Sequence, residues 1–584
     1  MVNKRSVNVI FLILVFSLSS CLYASSFSGI KVLSREYIDA WKRFYPSRAF
    51  SRGFLSSLFY FEDFSQAKIE NWLKRNKATL DEISSRESGM VSEDRIDARL
   101  LRIQIKSEID KWEVEAPHKN SLSLYSTHIT RTVNSVMNSD LLMPGEKVRI
   151  ILDRLEGVDK MCAAALHQLE DGSPKGVERN LRALETSAGF YEKKLPEMAK
   201  SWIKPEDFEG FVTKCRHTSA QIQALISHVK TDLAPKLSRT DSVILGREEF
   251  ARKLRLYTDS DLTPEQLEEM ALKEIQLVRE LITQVCEEYI HEAYPEQKVP
   301  EELNELVSKA LGDMEKNHPS GQQQYLRFWE GLAKEAEEFV REKKIATLPE
   351  TQTLSIRLAP ESSGPMARIG WVSPAPSFHP YPWTTIFLPN IPDSHPEKEK
   401  KEFWRSFNNH FTTFIIIHEL FPGHYIQSKI NRENPHPVRI LFPYGLYSEG
   451  WATLCERVAL DVGWDNHNKL TYLAHLRKRI ENANRAYTSV QVHCNGWDQE
   501  KVQEFSVNTS LLAPQFAKSL WGRLMRSPMQ ITSYFLGTQK FTELYENEMK
   551  RLGDKFRNID FMNTVLRAGP IPLDEFPEIF KNKF

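Results

Sequence analysis

The stretch His418-Glu419-Leu420-Phe421-Pro422-Gly423-His424 constrains this chain more than any other. It follows the apolar run Phe411 to Ile417, so two imidazoles and a carboxylate sit at the end of a segment that must be buried. A second acidic segment, Tyr447-Ser448-Glu449-Gly450-Trp451-Ala452-Thr453, lies shortly downstream. Two His and a later Glu form the ligand set of a catalytic zinc site that keeps its fourth position open. Glu419, next to the first His, is then the natural general base. The expectation is a zinc-dependent hydrolase that acts on short peptides. One Zn²⁺ would be held by His418, His424 and Glu449.

The spacing needs its own argument. In an H-E-x-x-H helix the two His are four residues apart, about 40° around the axis, and share a face. Here they are six apart, which on a straight helix separates them by about 120°. Pro422 and Gly423 relieve this. Pro422 has no N–H for the carbonyl of His418, and its ring disfavours helical geometry at Phe421. Gly423 tolerates a positive φ. A two-residue bulge at this pair is expected to return His424 to the face of His418.

Glu419 and Glu449 could exchange roles as base and ligand, but a residue adjacent to a ligand on a helix points elsewhere, which favours Glu449 as the ligand. Glu456 lies seven residues after Glu449, on nearly the same helical face. It is expected either to orient a ligating His from behind the metal or to form an ordinary ion pair.

The same residues resemble a known family. H-E-x-x-P-G-H followed by S-E-G-W-A is similar to the bacterial DUF885 family, a zincin-like, largely helical group. Arg485 with Val492-His493 and Gly496-Trp497 resembles its R…D-T-G-[LI]-H…G-W segment, and Pro528-Met529-Gln530 with Tyr534 and Gly537 resembles its P-x-Q-A-x-x-Y-x-x-G segment. The resemblance implies metallopeptidase-like chemistry without a defined substrate. It places His493 and Tyr534 as catalytic candidates that donate to an oxyanion, and Arg485 as a clamp for a substrate carboxylate. Two departures stand out. Ser489-Val490-Gln491 replaces Asp-Thr-Gly, and Tyr425 replaces a second His after Pro-Gly-His. Neither removes an expected ligand.

The N-terminus reads as a targeting segment, residues 1–21, to be set apart from the fold. Lys4 and Arg5 precede an apolar run from Val7 to Leu18, too short for a standard transmembrane helix. Leu18-Ser19-Ser20-Cys21 resembles a bacterial lipobox, which makes Cys21 the lipidation site and the protein a membrane-anchored, extracytoplasmic lipoprotein. Cleavage after Ala24, giving a soluble secreted or periplasmic protein, is the competing expectation. The other five cysteines are widely spaced with no C-x-x-C, and so read as buried small hydrophobes. With 77 basic and 78 acidic residues interspersed, no basic face points to nucleic acid.

Residues 22–350 carry helical patterns, among them Asp94–Ala116, Pro144–Leu169, Lys175–Lys200 and Leu262–Glu292. In the last, Thr263 is the expected N-cap and Pro264 the first helical residue. Residues 351–584 form the expected catalytic region. Thr353–Leu358 and Trp383–Leu388 are β-prone between Pro- and Ser-rich turns. The fold class expected is therefore mainly α with a small β-sheet beside the active-site helix, a zincin-like α+β arrangement. Thr384 to Leu388 is the candidate edge strand, where an extended peptide would add by backbone hydrogen bonds; an ordinary internal strand is the rival reading. The other function classes in view are a non-catalytic lipoprotein binding peptides or partners through a zincin-like cleft, and a hydrolase of another amide or ester.

Overall fold

The computed structural model describes residues 29–137, 142–238 and 244–583; the targeting segment and Cys21 lie outside them. The chain forms two compact units, residues 1–241 and 242–584. The first is built of helices, including Gln66–Arg86, Ser92–Ile109, Pro144–Gln168 and Pro205–His228. The expected helical stretches are there, with local departures. The pattern from Asp94 to Ala116 ends in a wider turn at Asp110–Glu115, and that from Lys175 to Lys200 is interrupted by a similar turn at Phe190–Lys194.

The second unit carries the motifs. Its elements used below are α1 (Arg247–Thr258), α2 (Pro264–Ala293), α3 (Gln322–Glu342), α4 (Asn409–Glu419), α5 (His424–Asn431), α6 (Tyr447–Asp461), α7 (Lys469–Asn495), α8 (Pro514–Arg526), α9 (Pro528–Leu552) and α10 (Asn558–Ala568), with β1 (Leu354–Leu358), β2 (Trp371–Ser373) and β3 (Thr384–Leu388). Helix α2 starts as its sequence dictates. The Thr263 hydroxyl accepts from the N–H of Gln266, the Gln266 side chain returns a bond to the Thr263 N–H, and Pro264 occupies the first turn. It packs along α7, so residues 242–350 belong to the same compact unit as the metal motif.

The sheet has the order β1-β3-β2, with β1 parallel and β2 antiparallel to β3. Ile386 of β3 thus stands between Ile356 of β1 and Val372 of β2. Of the two readings of Thr384–Leu388 the edge is corrected and the internal strand holds: both of its sides are paired, so it has no free ladder for a peptide. The edges are β1 and β2. The missed strand is β2, three residues long beside Pro374 and Pro376, too short to show an alternation. Helix α3 packs on both β1 and α4, and α4 in turn packs on α6 and α7. This places the metal motif between the sheet and the longest helices of the unit.

Candidate metal centre

Helix α4 opens with Asn408, whose side chain accepts from the N–H of Phe411 at 2.9 Å, and Phe414 to His418 are buried. It ends at Glu419, and a new helix, α5, starts at His424. The expected bulge in one helix is thus replaced by two helices and a short link, with a cis peptide bond between Phe421 and Pro422. Gly423 has φ −63° and ψ −139°, so the expected positive φ is also corrected. Its lack of a side chain is needed for another reason. A Cβ there would lie 1.9 Å from the carbonyl oxygen of His418 and 2.4 Å from that of Ile417. The Gly423 N–H reaches the Ile417 carbonyl at 3.1 Å, which fixes this close return. Trp451 adds a tie from the second motif, its indole N–H donating to the Pro422 carbonyl at 3.1 Å.

The break brings the two imidazoles together. Their ring centroids are 4.7 Å apart and nearly perpendicular, at 85°. Nε2 of His418 and Nε2 of His424 each lie 3.6 Å from Oε2 of Glu449, which α6 presents from its first turn. One ligand atom from each of the three residues falls within 4.8 Å of the others, the arrangement of a candidate metal site. Ligands at 2.0–2.1 Å around a tetrahedral zinc stand about 3.4 Å apart, close to the two 3.6 Å separations from Glu449.

The opposite ring atoms are also accounted for. Nδ1 of His418 donates to Oε1 of Glu456 at 2.6 Å, and Nδ1 of His475 to Oε2 at 2.7 Å, with Glu456 only 1% exposed. Nδ1 of His424 lies 3.4 Å from both Gln427 Oε1 and Ser448 Oγ. With each Nδ1 turned towards an acceptor, the Nε2 lone pairs point at the shared position. Charge agrees with this. Burial alone would raise the Glu449 carboxyl, but hydrogen bonds to His418 and His424 bring it well below its ordinary value. Burial would lower His418, yet Glu449 and Glu456 raise it well above its ordinary value. Without a metal the cluster therefore holds protons, and a cation entering it must displace them.

Glu419 follows His418 and lines a cavity of about 310 Å³ between α4 and the sheet. Among the described residues no group pairs with its carboxylate. Helix α7 contributes His475, Lys478, Glu481 and Arg485, which recur at steps of three and four and share a face. Arg485 is buried. Its guanidinium donates to Asn482 Oδ1 at 3.0 Å and to Glu481, and it covers the Tyr534 ring at 5.1 Å. Tyr534 is half-buried, its hydroxyl bonded by Gln530 at 3.2 Å. Tyr257 of α1 was not expected from the sequence. Burial raises its phenol, a hydrogen bond from Ser533 opposes this, and the charges of Glu449 and Tyr534 add to the rise, so it lies in the field of the cluster.

His493 is not brought to this cluster. Nδ1 accepts from the Leu245 N–H at 3.3 Å, Nε2 donates to the Leu524 carbonyl at 3.2 Å, and the ring stacks on Phe250. Both nitrogens are thus engaged by main chain. His410 lies on a separate cavity of about 630 Å³ with Trp464 and Asp465, its Nδ1 3.1 Å from Thr471 Oγ1. The thiols of Cys455 and Cys494 are pushed up by burial, Cys494 to about 11, which suits packing rather than nucleophilic attack.

The glycines of the later motifs have a packing role. A Cβ on Gly450 of α6 would lie 2.5 Å from the main chain of Gly537 on α9, and one on Gly537 would lie 2.3 Å from the Leu446 carbonyl. The helix carrying Glu449 and the helix carrying Tyr534 can approach this closely only without side chains at the crossing.

Comparison with known proteins agrees with this architecture. A lipoprotein candidate of unknown function from Shewanella oneidensis superposes with a TM-score of 0.79 at 19% identity, over 95% of this chain and 100% of its own. A second lipoprotein candidate, from Colwellia psychrerythraea, superposes with a TM-score of 0.70 at 16% identity, over 95% and 99%. At these identities the likeness is one of fold. No curated protein sequence matches the chain. The sequence profile of a family described as bacterial proteins of unknown function, DUF885, matches residues 46–578.

Proposed function

The chain belongs to the DUF885 family, and we propose that it is a zinc-dependent hydrolase, a metallopeptidase cleaving short peptides. The observation that carries this reading is the convergence of His418, His424 and Glu449 on one position, with Glu419 following His418 in the chain and lining a cavity. A bound zinc ion would supply Lewis acidity, polarising a carbonyl and making water acidic enough to attack near neutral pH. His418 and His424 would hold it through Nε2, and Glu449 through Oε2. Glu456 keeps His418 in the tautomer this requires. Glu419 accepts the proton of the attacking water on its carboxylate and passes it to the leaving nitrogen. Tyr534 and Tyr257 would offer phenol donors, and Tyr257 and Arg485 both feel the charge of Glu449. Arg485 already has Glu481 as a partner, so it acts by fixing Tyr534 and by its field.

Among the described residues no helix is long and apolar enough to cross a membrane. Together with the Leu18-Ser19-Ser20-Cys21 segment, this supports an extracytoplasmic protein held at a membrane by lipid on Cys21. The test of the hydrolase reading is metal analysis coupled to a peptide-library digest. Wild-type protein should hold one zinc and cut peptides, and His418→Ala, His424→Ala and Glu449→Ala should each lose most of the metal. Glu419→Gln should keep the zinc while turnover falls by about 10²–10⁴. Near-normal turnover in E419Q with zinc retained would remove Glu419 from the mechanism.

A further inference from the structure

We infer that the cavity between Glu419 and the small sheet takes the side chain of the substrate residue whose amine leaves, and that this side chain is large and apolar. The inference rests on the hydrolase reading above and goes on to name a substrate class. Phe411, Ile415 and Glu419 fall four residues apart along α4, so they form one stripe that runs from the apolar wall to the carboxylate. Opposite them, Trp371 of β2 and Phe387 of β3 stack at 4.6 Å and 24°, and Val372 completes the wall. The volume, about 310 Å³, is roughly twice that of a cavity known to hold benzene. At its mouth Ile369 is 68% exposed, an apolar group left in water until something covers it.

The direction of binding follows from the proton. Glu419 takes it from water and must return it to the leaving nitrogen, so the leaving residue lies on the Glu419 side of the cut bond. The side chain of that residue enters the cavity Glu419 lines. Its charge class follows from the lining. Two charged groups are present: Glu419, which is occupied by proton transfer, and Lys478, which faces Glu481 at 3.5 Å. A charged side chain would lose its water there without gaining a partner of its own, whereas an aromatic or branched one would cover the Trp371, Phe387 and Phe411 surfaces.

Two measurements on the zinc-loaded full chain test this. The first is mass-spectrometric mapping of cuts in a random peptide mixture. Phe, Leu, Tyr and Met should follow the cut about tenfold or more above Asp, Glu, Lys and Gly. The second needs no turnover: titration calorimetry with N-hydroxy-3-phenylpropanamide, which carries a benzyl arm, against acetohydroxamate, which does not. The benzyl compound should bind about tenfold tighter or better. Val372→Phe narrows the cavity from the edge strand. It should keep its zinc, abolish the benzyl advantage and lower kcat/KM for Phe about tenfold relative to that for Ala. If V372F loses its zinc, Phe387→Ala reads the same wall in the other direction and should raise Trp over Leu. Cleavage without preference after the cut, or with preference only before it, overturns the inference and leaves the hydrolase reading standing. No cleavage with the benzyl advantage intact overturns the hydrolase reading, and with it the assignment to a leaving residue, and leaves only an apolar binding cavity. A protein that takes up no zinc overturns both.

Discussion

Gly423→Ala should uncouple metal binding from folding. The added Cβ would meet the His418 carbonyl oxygen at 1.9 Å and the Ile417 carbonyl at 2.4 Å, whereas real contacts of this kind are not found under 3.0 Å. The link must therefore open by at least about 1 Å, and both of the atoms that meet are main chain. One belongs to His418, which supplies a ligand, the other to Ile417 just before it, and the added Cβ itself sits just before the second ligand, His424. Metal–ligand distances are held to about ±0.2 Å, so an opening of this size cannot be absorbed within the site. Zinc affinity should fall by a hundredfold or more, equivalent to about 3 kcal/mol. Overpacking should also cost about 1–3 kcal/mol of fold stability, small enough for the helices to persist. Competition against a chromogenic chelator measures the affinity, and circular dichroism on the metal-free variant measures the fold. Gly89→Ala is the control, since nothing lies within 4 Å of a Cβ there. Zinc affinity in G423A within about threefold of wild type would refute the steric account, whatever the fold stability shows. Because φ at Gly423 is negative, a loss cannot be charged to left-handed strain.

Two other expectations follow from the same geometry and from the N-terminus. Glu456→Gln leaves one acceptor oxygen and an amide N–H facing two imidazole donors, so one of His418 and His475 loses its partner; zinc affinity should drop about 10–100-fold by chelator competition, and an unchanged affinity would show that Glu456 does not orient His418. The same carboxyl shapes acid stability. Burial alone would raise it, but hydrogen bonds from His418 and His475 bring it to about 2 from 4.5, so in the metal-free protein it stabilises the fold above pH 4.5 and that contribution drains as pH falls towards 2. Thermal melts of metal-free E456Q should therefore lose less stability across that window than wild type, and parallel curves would refute the assignment. Cys21→Ala should move the protein from a membrane fraction to a soluble one without changing zinc content, since more than one acyl chain is needed for stable anchoring; an unmodified mature chain beginning at Ser25, seen by intact mass, would show ordinary secretion instead.

What the sequence discloses here depends on how far apart the partners of each feature lie. His418, His424 and Glu449 were legible because the chemistry of the residue types and a short spacing point to one ion, and Thr263-Pro264 because a cap is made within three residues. The course of the link was not legible. Both a bulge with positive φ and a break with close main-chain return call for Pro-Gly, and only the position of the Ile417 and His418 carbonyls decides between them. The central place of β3 depends on β2, whose three residues carry no period of their own. Tyr257 reaches the cluster from a helix far upstream, which no local pattern announces, whereas His475 and Lys478 could have been reached by stepping back from Arg485 along one face of α7. His493 illustrates the limit from the other side. Its partners, the Leu245 N–H and the Leu524 carbonyl, are 248 and 31 residues away, so a core imidazole and a catalytic one look alike until both are placed. Gly450 and Gly537 sit in two motifs that read as independent, yet each is the reason for the other. The crossing of α6 and α9 admits neither Cβ, and it is this crossing that brings the helix carrying Glu449 against the helix carrying Tyr534.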